Sequence, residues 1–486
     1  METVPNLIGG EWRVASGPVD EIPDPATGET IAELPYATSA EIETAVTAAR
    51  AAQPQWGETA VPDRAQVMFR FKQLLEEHVE ELARIITQEN GKTLAEARGD
   101  VRRGIDAVEF SCGAPTLLMG QNLDQVASGI DMELSRFPVG VVVGITPFNF
   151  PVMIPLWMMG PALASGNAFI LKPSQRTPLS AVRLVELGRE AGLPEGVVQL
   201  VHGAKGTVDM LLAHPEVDAV SVVGSAPVAK YIYEKGASHG KRVQGLGGAK
   251  NFIVVMDDAD IEPTVEASLA SAFGMAGQRC LAGSVAVGVG SIADVLSREL
   301  AEAAERLKVG PGTEEVDLGP VIRQERREEL VGYIDEGQKT GATLVRDGRD
   351  LVDGPGFFLG PTIFDDVTPN SRLWREELFG PILSCARAAD LDEALTLLNA
   401  STYGNMACIF TTSGESARRF RRHAQAGMIG VNIGVAAPMA FFPFSGWKGS
   451  FYGDLHAQGM DGFRFYTQVK MTTTRWFEHE VEGRLK

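Results

Sequence analysis

Short runs of consecutive apolar residues alternate, along most of the chain, with longer stretches whose apolar positions recur every three to four residues. Residues 40–52 and 64–88 place such positions opposite faces rich in Glu, Lys and Arg, which predicts amphipathic helices. Residues 140–144 and 168–171 are unbroken apolar runs bounded by turn formers, which predicts strands buried on both faces. A helix over 179–191, closed by Gly192 and Pro194, and strands over 197–201 and 219–223 continue the rhythm. After Gly248 it restarts with strand 252–256, helix 259–276, strand 284–289 and helix 293–307. This alternation predicts an α/β fold built on a doubly wound sheet, with ligands at the carboxyl ends of its strands.

At 486 residues the chain is too long for one core. The pattern divides it into a first domain over 1–121 and 137–249 and a second α/β domain over 250–439. Strand-like outliers at 122–136 and 463–476 predict an arm, spanning 122–136 and 460–486, that pairs with a neighbouring subunit in a homodimer or homotetramer. The longest apolar stretch, 139–164, is interrupted by Pro147, Asn149, Pro151, Pro155 and Pro161, so no membrane span is expected. Residues 1–11 lack a basic run followed by an apolar core, so no secretory leader is expected either.

Composition changes this picture little, and charge changes it more. A net charge of −19 and a pI near 4.9 argue against nucleic acid or an anionic membrane as partner, since both require a basic footprint. An anionic small-molecule substrate must therefore meet a local basic cluster. Cys112, Cys280, Cys385 and Cys408 lie far apart, with no CxxC and no histidine at metal spacing. That predicts neither disulfide framework nor metal site, and a reducing cytoplasm as the setting.

One of these cysteines stands in a reactive context. In Phe273-Gly-Met-Ala-Gly277-Gln278-Arg279-Cys280 a predicted helix ends at Gly277 and the thiol follows on the turn. A thiolate there adds to an aldehyde carbonyl, and the resulting alkoxide can expel hydride to a nicotinamide and leave a thioester. Arg279 beside it is expected to lower the thiol pKa. Asn149, on the proline-locked loop after strand 140–144, is placed to donate to the developing oxyanion with the Cys280 N–H. Lys172 ends the strand 168–171 and suits hydroxyl or phosphate contacts. Gly288-Val-Gly290-Ser-Ile-Ala293 matches the dinucleotide fingerprint, but no acidic residue ends a second strand some twenty positions later, so it is read as an ordinary strand–helix turn. Nothing in the spacing of His202, His239 or His456 favours any of them as a base for Cys280.

These segments, in this order, resemble the aldehyde dehydrogenase superfamily over nearly the whole chain. The likeness extends to Val223-Gly224-Ser225, Glu376-Glu377-Leu378-Phe379-Gly380-Pro381 and Phe442-Pro443-Phe444-Ser445-Gly446-Trp447-Lys448. It implies Cys280 as nucleophile and Asn149 in the oxyanion hole. It also implies that Lys172 and Glu377 hold ribose hydroxyls, that Gly224 and Ser225 meet the pyrophosphate, and that Phe148 and Phe379 flank the nicotinamide of NAD.

The sequence departs from the family pattern at three points. Hydrolytic members place a glutamate four residues before the lysine of an E-L-G-G-K motif, where it activates water. In Gln244-Gly-Leu246-Gly-Gly-Ala249-Lys250 that position is Leu246, which cannot take a proton. This loss resembles the CoA-acylating methylmalonate-semialdehyde dehydrogenases, in which coenzyme A collects the acyl group. In that branch Arg103 and Arg279 correspond to arginines that clamp the substrate carboxylate, a task suited to a guanidinium fork. Gln175 stands where the branch has a glutamate; with Arg176 adjacent it leaves NADP open beside the preferred NAD. Ala229 replaces a second glycine of the turn after Gly224. The expectation is NAD-dependent oxidation of malonate or methylmalonate semialdehyde to acetyl- or propionyl-CoA with loss of CO2. The alternative is a hydrolytic dehydrogenase that releases the free acid.

Overall fold

The computed structural model describes residues 2–477, so the expected arm over 478–486 lies outside the described residues. Strands Val141–Ile145, Ala168–Lys172, Val198–Leu200, Ala219–Val223 and Arg242–Leu246 run parallel within an eight-stranded sheet. The parallel part begins at Val141–Ile145, steps outward through Ala168–Lys172 to Val198–Leu200, then crosses to the opposite side for Ala219–Val223 and Arg242–Leu246. Connections leaving Val141–Ile145 and Ala219–Val223 therefore diverge and open a crevice at their carboxyl ends. The doubly wound sheet implied by the alternation is present.

A seven-stranded sheet follows in the second half of the chain. Thr362–Asp365, Ile382–Ala388, Gly283–Val289, Asn251–Val255, Met406–Phe410 and Met428–Val431 are parallel, in that spatial order, with antiparallel Thr343–Arg346 at the edge. Gly288 lies on this sheet rather than on the crevice-bearing one, and Gly290 opens the short turn that follows its strand. A Cβ on Gly288 would stand 2.5 Å from the Cα of Ala293, so this glycine serves close packing of strand on helix.

The structure revises several predicted elements. The helix expected over 64–88 is two, Val61–Glu77 and Val79–Asn90, broken at His78 (φ −108°, ψ 18°). The second ends at left-handed Gly91, which turns Lys92 inward. The proline-interrupted stretch 139–164 contains a helix, Met153–Ala164, with every residue buried. A helix apolar all round has no solvent face and must be enclosed. It packs against Leu94–Cys112. The helix expected over 259–276 stops at Phe273 and gives way to a tight turn, Gly274–Gly277, in which Met275 and Ala276 take φ of 56° and 50°.

The outlying segments form a sheet of their own. Residues 122–136 fold as a hairpin, Gln121–Ala127 and Ile130–Pro138, rather than one strand. Residues 463–476 comprise the end of the helix Gly459–Phe465 and then the strand Thr467–Arg475, which pairs along the hairpin. Leu123, Val126, Phe137, Val469, Met471 and Trp476 are exposed on this sheet or at its end. Among the described residues, no helix is long and apolar enough to cross a membrane, and no cluster of residues suited to a metal ion is found.

Candidate active site

Two cavities meet at Cys280. The larger, about 720 Å³, occupies the crevice of the first sheet and is walled by Phe148, Asn149, Lys172, Gln175, Gly224, Ser225, Glu377 and Phe379, among others. The smaller, about 250 Å³, is lined by Glu96, Asp100, Arg103, Arg279 and apolar side chains including Phe150, Trp157 and Phe444. Cys280 lines both. Cys112, Cys385 and Cys408 are buried and line neither.

The turn carrying Cys280 is held from several directions. Gly277 has φ 69°, and a Cβ there would sit 2.2 Å from the Gly380 carbonyl oxygen, so both conformation and contact require glycine. The Cys280 carbonyl accepts from Asn251 Nδ2 and Asn405 Nδ2, each at 2.9 Å. The Asn149 amide donates to the Gln278 carbonyl at 3.0 Å, tying its loop to the Cys280 turn and leaving a second amide hydrogen available. On the other side, Lys92 Nζ donates to the Asn149 carbonyl at 2.6 Å and pairs with Asp100 at 2.9 Å, both side chains being almost fully buried. Lys92, Asp100, Asn251 and Asn405 carry no recognisable motif, and apart from the Lys92–Asp100 pair their partners lie far away in sequence.

Arg279 lowers the thiol pKa in the expected direction but is outweighed. Cys280 keeps part of its surface open to the cavities but lies deep in the molecule. Burial and then the Glu377 charge push its thiol up to about 12, and Arg279 only opposes them. The resting thiol is protonated at neutral pH. Arg279 donates through Nη2 to the carbonyls of Ala270 and Ser271, while its buried Nε has no partner. Arg103 donates to the Pro438 carbonyl at 2.6 Å and to Met439 Sδ at 3.0 Å.

The larger cavity presents opposite charges from buried groups. Burial lowers Lys172 to about 8, and burial raises Glu377 to about 7 against the pull of the Ala249 amide and Lys250. Phe148 and Phe379 meet edge to face, ring centroids 5.8 Å apart. Ser225 caps the helix Ala226–Ser238, but its side chain makes no capping bond, and the free amides of that N-terminus suit an anion. Gln175 lines this cavity and Arg176 does not; the Arg176 charge instead acts on Tyr36. Lys205, Arg323 and Arg326, which no sequence pattern singled out, add cationic wall. His202 is fully buried and driven down to about 3 by burial and by Lys172; like His239 and His456 it lines neither cavity. Leu246 is also outside both, 4% exposed and packed in the core that Cys280 adjoins.

Residues 12–472 match the aldehyde dehydrogenase family. The malonate-semialdehyde dehydrogenase 1 of Geobacillus thermodenitrificans is 54% identical over 480 residues, covering 98% of this chain and 99% of that one. Among solved structures, the methylmalonate-semialdehyde dehydrogenase of Oceanimonas doudoroffii superposes with a TM-score of 0.98 at 47% identity, covering 99% of this chain and 100% of that one. A Sinorhizobium meliloti protein, assigned as a methylmalonate-semialdehyde dehydrogenase and complexed with NAD, superposes with a TM-score of 0.97 at 44% identity, covering 99% of each chain. Cavities that converge on one thiol and likeness along the whole length lead to one conclusion: this chain belongs to the aldehyde dehydrogenase family.

Proposed function

We propose that the protein is an NAD-dependent, CoA-acylating dehydrogenase of malonate or methylmalonate semialdehyde. The observation that carries this reading is the meeting of two chemically distinct cavities at Cys280, one walled by Lys172 and Glu377, the other by Arg103 and Arg279. Cys280 gives its thiol proton to water in the cavity and attacks the aldehyde carbon as the thiolate, and Asn149 Nδ2 with the Cys280 N–H holds the alkoxide. Arg279 and Arg103, which line the smaller cavity, receive the substrate carboxylate. Lys172 and Glu377 hold ribose hydroxyls, the amides beyond Gly224 and Ser225 hold the pyrophosphate, and Phe148 and Phe379 flank the nicotinamide. Bound there, NAD supplies the hydride acceptor that converts the adduct to a thioester. The acyl group loses CO2 and passes to the thiol of coenzyme A, because Leu246 gives water no base. Gln175 removes a charge that would repel a 2′-phosphate, but Arg176 does not line the cavity, which favours NAD over NADP.

The sheet formed by 121–138 and 467–475, with its exposed apolar side chains, serves as the oligomerisation arm of a homodimer or homotetramer acting in the cytoplasm. The first domain spans 1–121 and 137–249 and the second 250–439.

Product analysis tests the activity. Malonate semialdehyde, NAD and CoA should yield acetyl-CoA and CO2 in step with reduced nicotinamide, read by mass spectrometry. Free malonate as the product would overturn the acylating reading in favour of the hydrolytic one.

Arg279→Met should cost carboxylated aldehydes about 2–3 kcal/mol, roughly a hundredfold in kcat/KM, the worth of a charged hydrogen-bonding partner. A neutral aldehyde of similar size should lose no more than about threefold. Equal losses for both would remove the clamp.

NAD affinity should be greatest between about pH 7 and 8. Glu377, raised to about 7, is the accepting carboxylate only above that pH, and Lys172, lowered to about 8, is a full cation only below it. Affinity therefore falls on both sides. Titration of NAD binding across pH should show two limbs, with Glu377→Gln flattening the acidic one. A dissociation constant indifferent to pH would refute the assignment.

A further inference from the structure

The helix Leu94–Cys112 precedes the nucleophile by well over a hundred residues, yet its first turn reaches the loop that carries it. Glu96 Oε1 accepts from the Met275 N–H at 2.6 Å, and Oε2 accepts from the Thr93 N–H at 3.0 Å. Met275 opens a left-handed stretch, with φ of 56°, 50° and 69° at Met275, Ala276 and Gly277. L-residues adopt that conformation only where something holds them. Glu96 also lines the smaller cavity beside Met275, Arg279 and Cys280. One turn further along the same helix, Asp100 pairs with Lys92, which grips the Asn149 carbonyl.

We propose that Glu96 is a positioning residue for Cys280: its carboxylate fixes the left-handed Met275–Gly277 turn and so sets where the sulfur stands relative to the Asn149 donor. The proposal rests on Cys280 being the nucleophile. Through Glu96 and Asp100, one helix registers the nucleophile loop against the oxyanion loop. A displacement of about 1 Å at a reacting atom costs on the order of a hundredfold, which gives the expected scale.

Glu96→Asp keeps the charge near Arg279 and withdraws the reach to Met275. It should lower kcat about ten- to a hundredfold, equally for malonate semialdehyde and for propanal, with both aldehyde KM values within about threefold of the unaltered enzyme. Alkylation of Cys280 by iodoacetamide should change in rate as well. Glu96→Gln, whose carbonyl can accept from the same N–H, should restore kcat to within about threefold. Thr93→Ala removes the capping hydroxyl but leaves the Glu96–Met275 bond, and should keep full kcat. Undiminished kcat in Glu96→Asp would overturn the proposal. So would a loss confined to KM for the carboxylated aldehyde, failure of Gln to rescue, or equal damage from Thr93→Ala. Cys280→Ala separates the two levels: if it still turns over, the nucleophile assignment has failed. If it is dead while Glu96→Asp is fully active, only the positioning role has failed.

Discussion

Cys280→Ser is expected to lower turnover by about 10⁴- to 10⁶-fold, the scale on which removal of an essential nucleophile is felt, while leaving the fold intact. The replacement changes one atom, and the hydroxyl fits the space of the thiol. What it removes is the capacity to form a thiolate and then a thioester. Burial and Glu377 already hold the thiol near 12; the same surroundings act on a hydroxyl, which is intrinsically far less acidic. No substitute is at hand, since Cys112, Cys385 and Cys408 are buried and line neither cavity. The raised pKa has a second consequence. In the enzyme without ligands, alkylation of Cys280 should be slow at neutral pH and accelerate as the pH approaches 12. Nicotinamide reduction with purified Cys280→Ser, beside circular dichroism for the fold, tests the first claim. Retention of more than about one per cent of activity would remove Cys280 from the chemistry.

Much of the first sheet was legible because its signals are local. The apolar runs at 140–144, 168–171 and 219–223 needed no partners to be recognised, and the alternation placed a ligand crevice at their carboxyl ends. Rejection of the Gly288–Ala293 fingerprint rested on a missing acidic residue, and the structure supplies the physical use of Gly288, contact with Ala293. Where local signals conflicted, the reading slipped. Pro155 and Pro161 masked the buried helix Met153–Ala164, in which Pro155 falls in the first turn and tertiary packing encloses Pro161. The helix expected over 259–276 ends early because Met275 and Ala276, ordinary helix formers, take left-handed φ in a turn where the Met275 N–H meets the distant Glu96 carboxylate. The supports of the site were silent altogether. Asn251, Asn405, Lys92 and Asp100 act through partners at long range, a relation that no periodicity or spacing encodes.

Omitting coenzyme A should lower steady-state turnover by about 10²- to 10⁴-fold, the worth of a general base in a hydrolytic step. Leu246 ends the strand Arg242–Leu246, paired with Val223 on one side and Phe451 on the other, and its side chain belongs to the core. Neither it nor His202, His239 or His456 lines a cavity that Cys280 lines. Once the thioester has formed, water therefore meets no side chain from these positions able to take its proton, whereas the thiol of coenzyme A is far more acidic and needs less help. Without coenzyme A the expected trace is a burst of reduced nicotinamide matching the number of active sites, followed by near silence. Adding coenzyme A should restore steady turnover at once. One group could defeat this expectation. Glu377 lines the larger cavity with Cys280 and is held at about 7, so at neutral pH much of it is free to accept a proton. If turnover persists without coenzyme A, Glu377→Gln decides the cause. Loss of that residual rate at saturating NAD, with the burst retained, would identify Glu377 as the base and make the enzyme a hydrolytic dehydrogenase. A residual rate indifferent to Glu377 would instead point to another group on these cavities, the Glu96 carboxylate of the smaller one first.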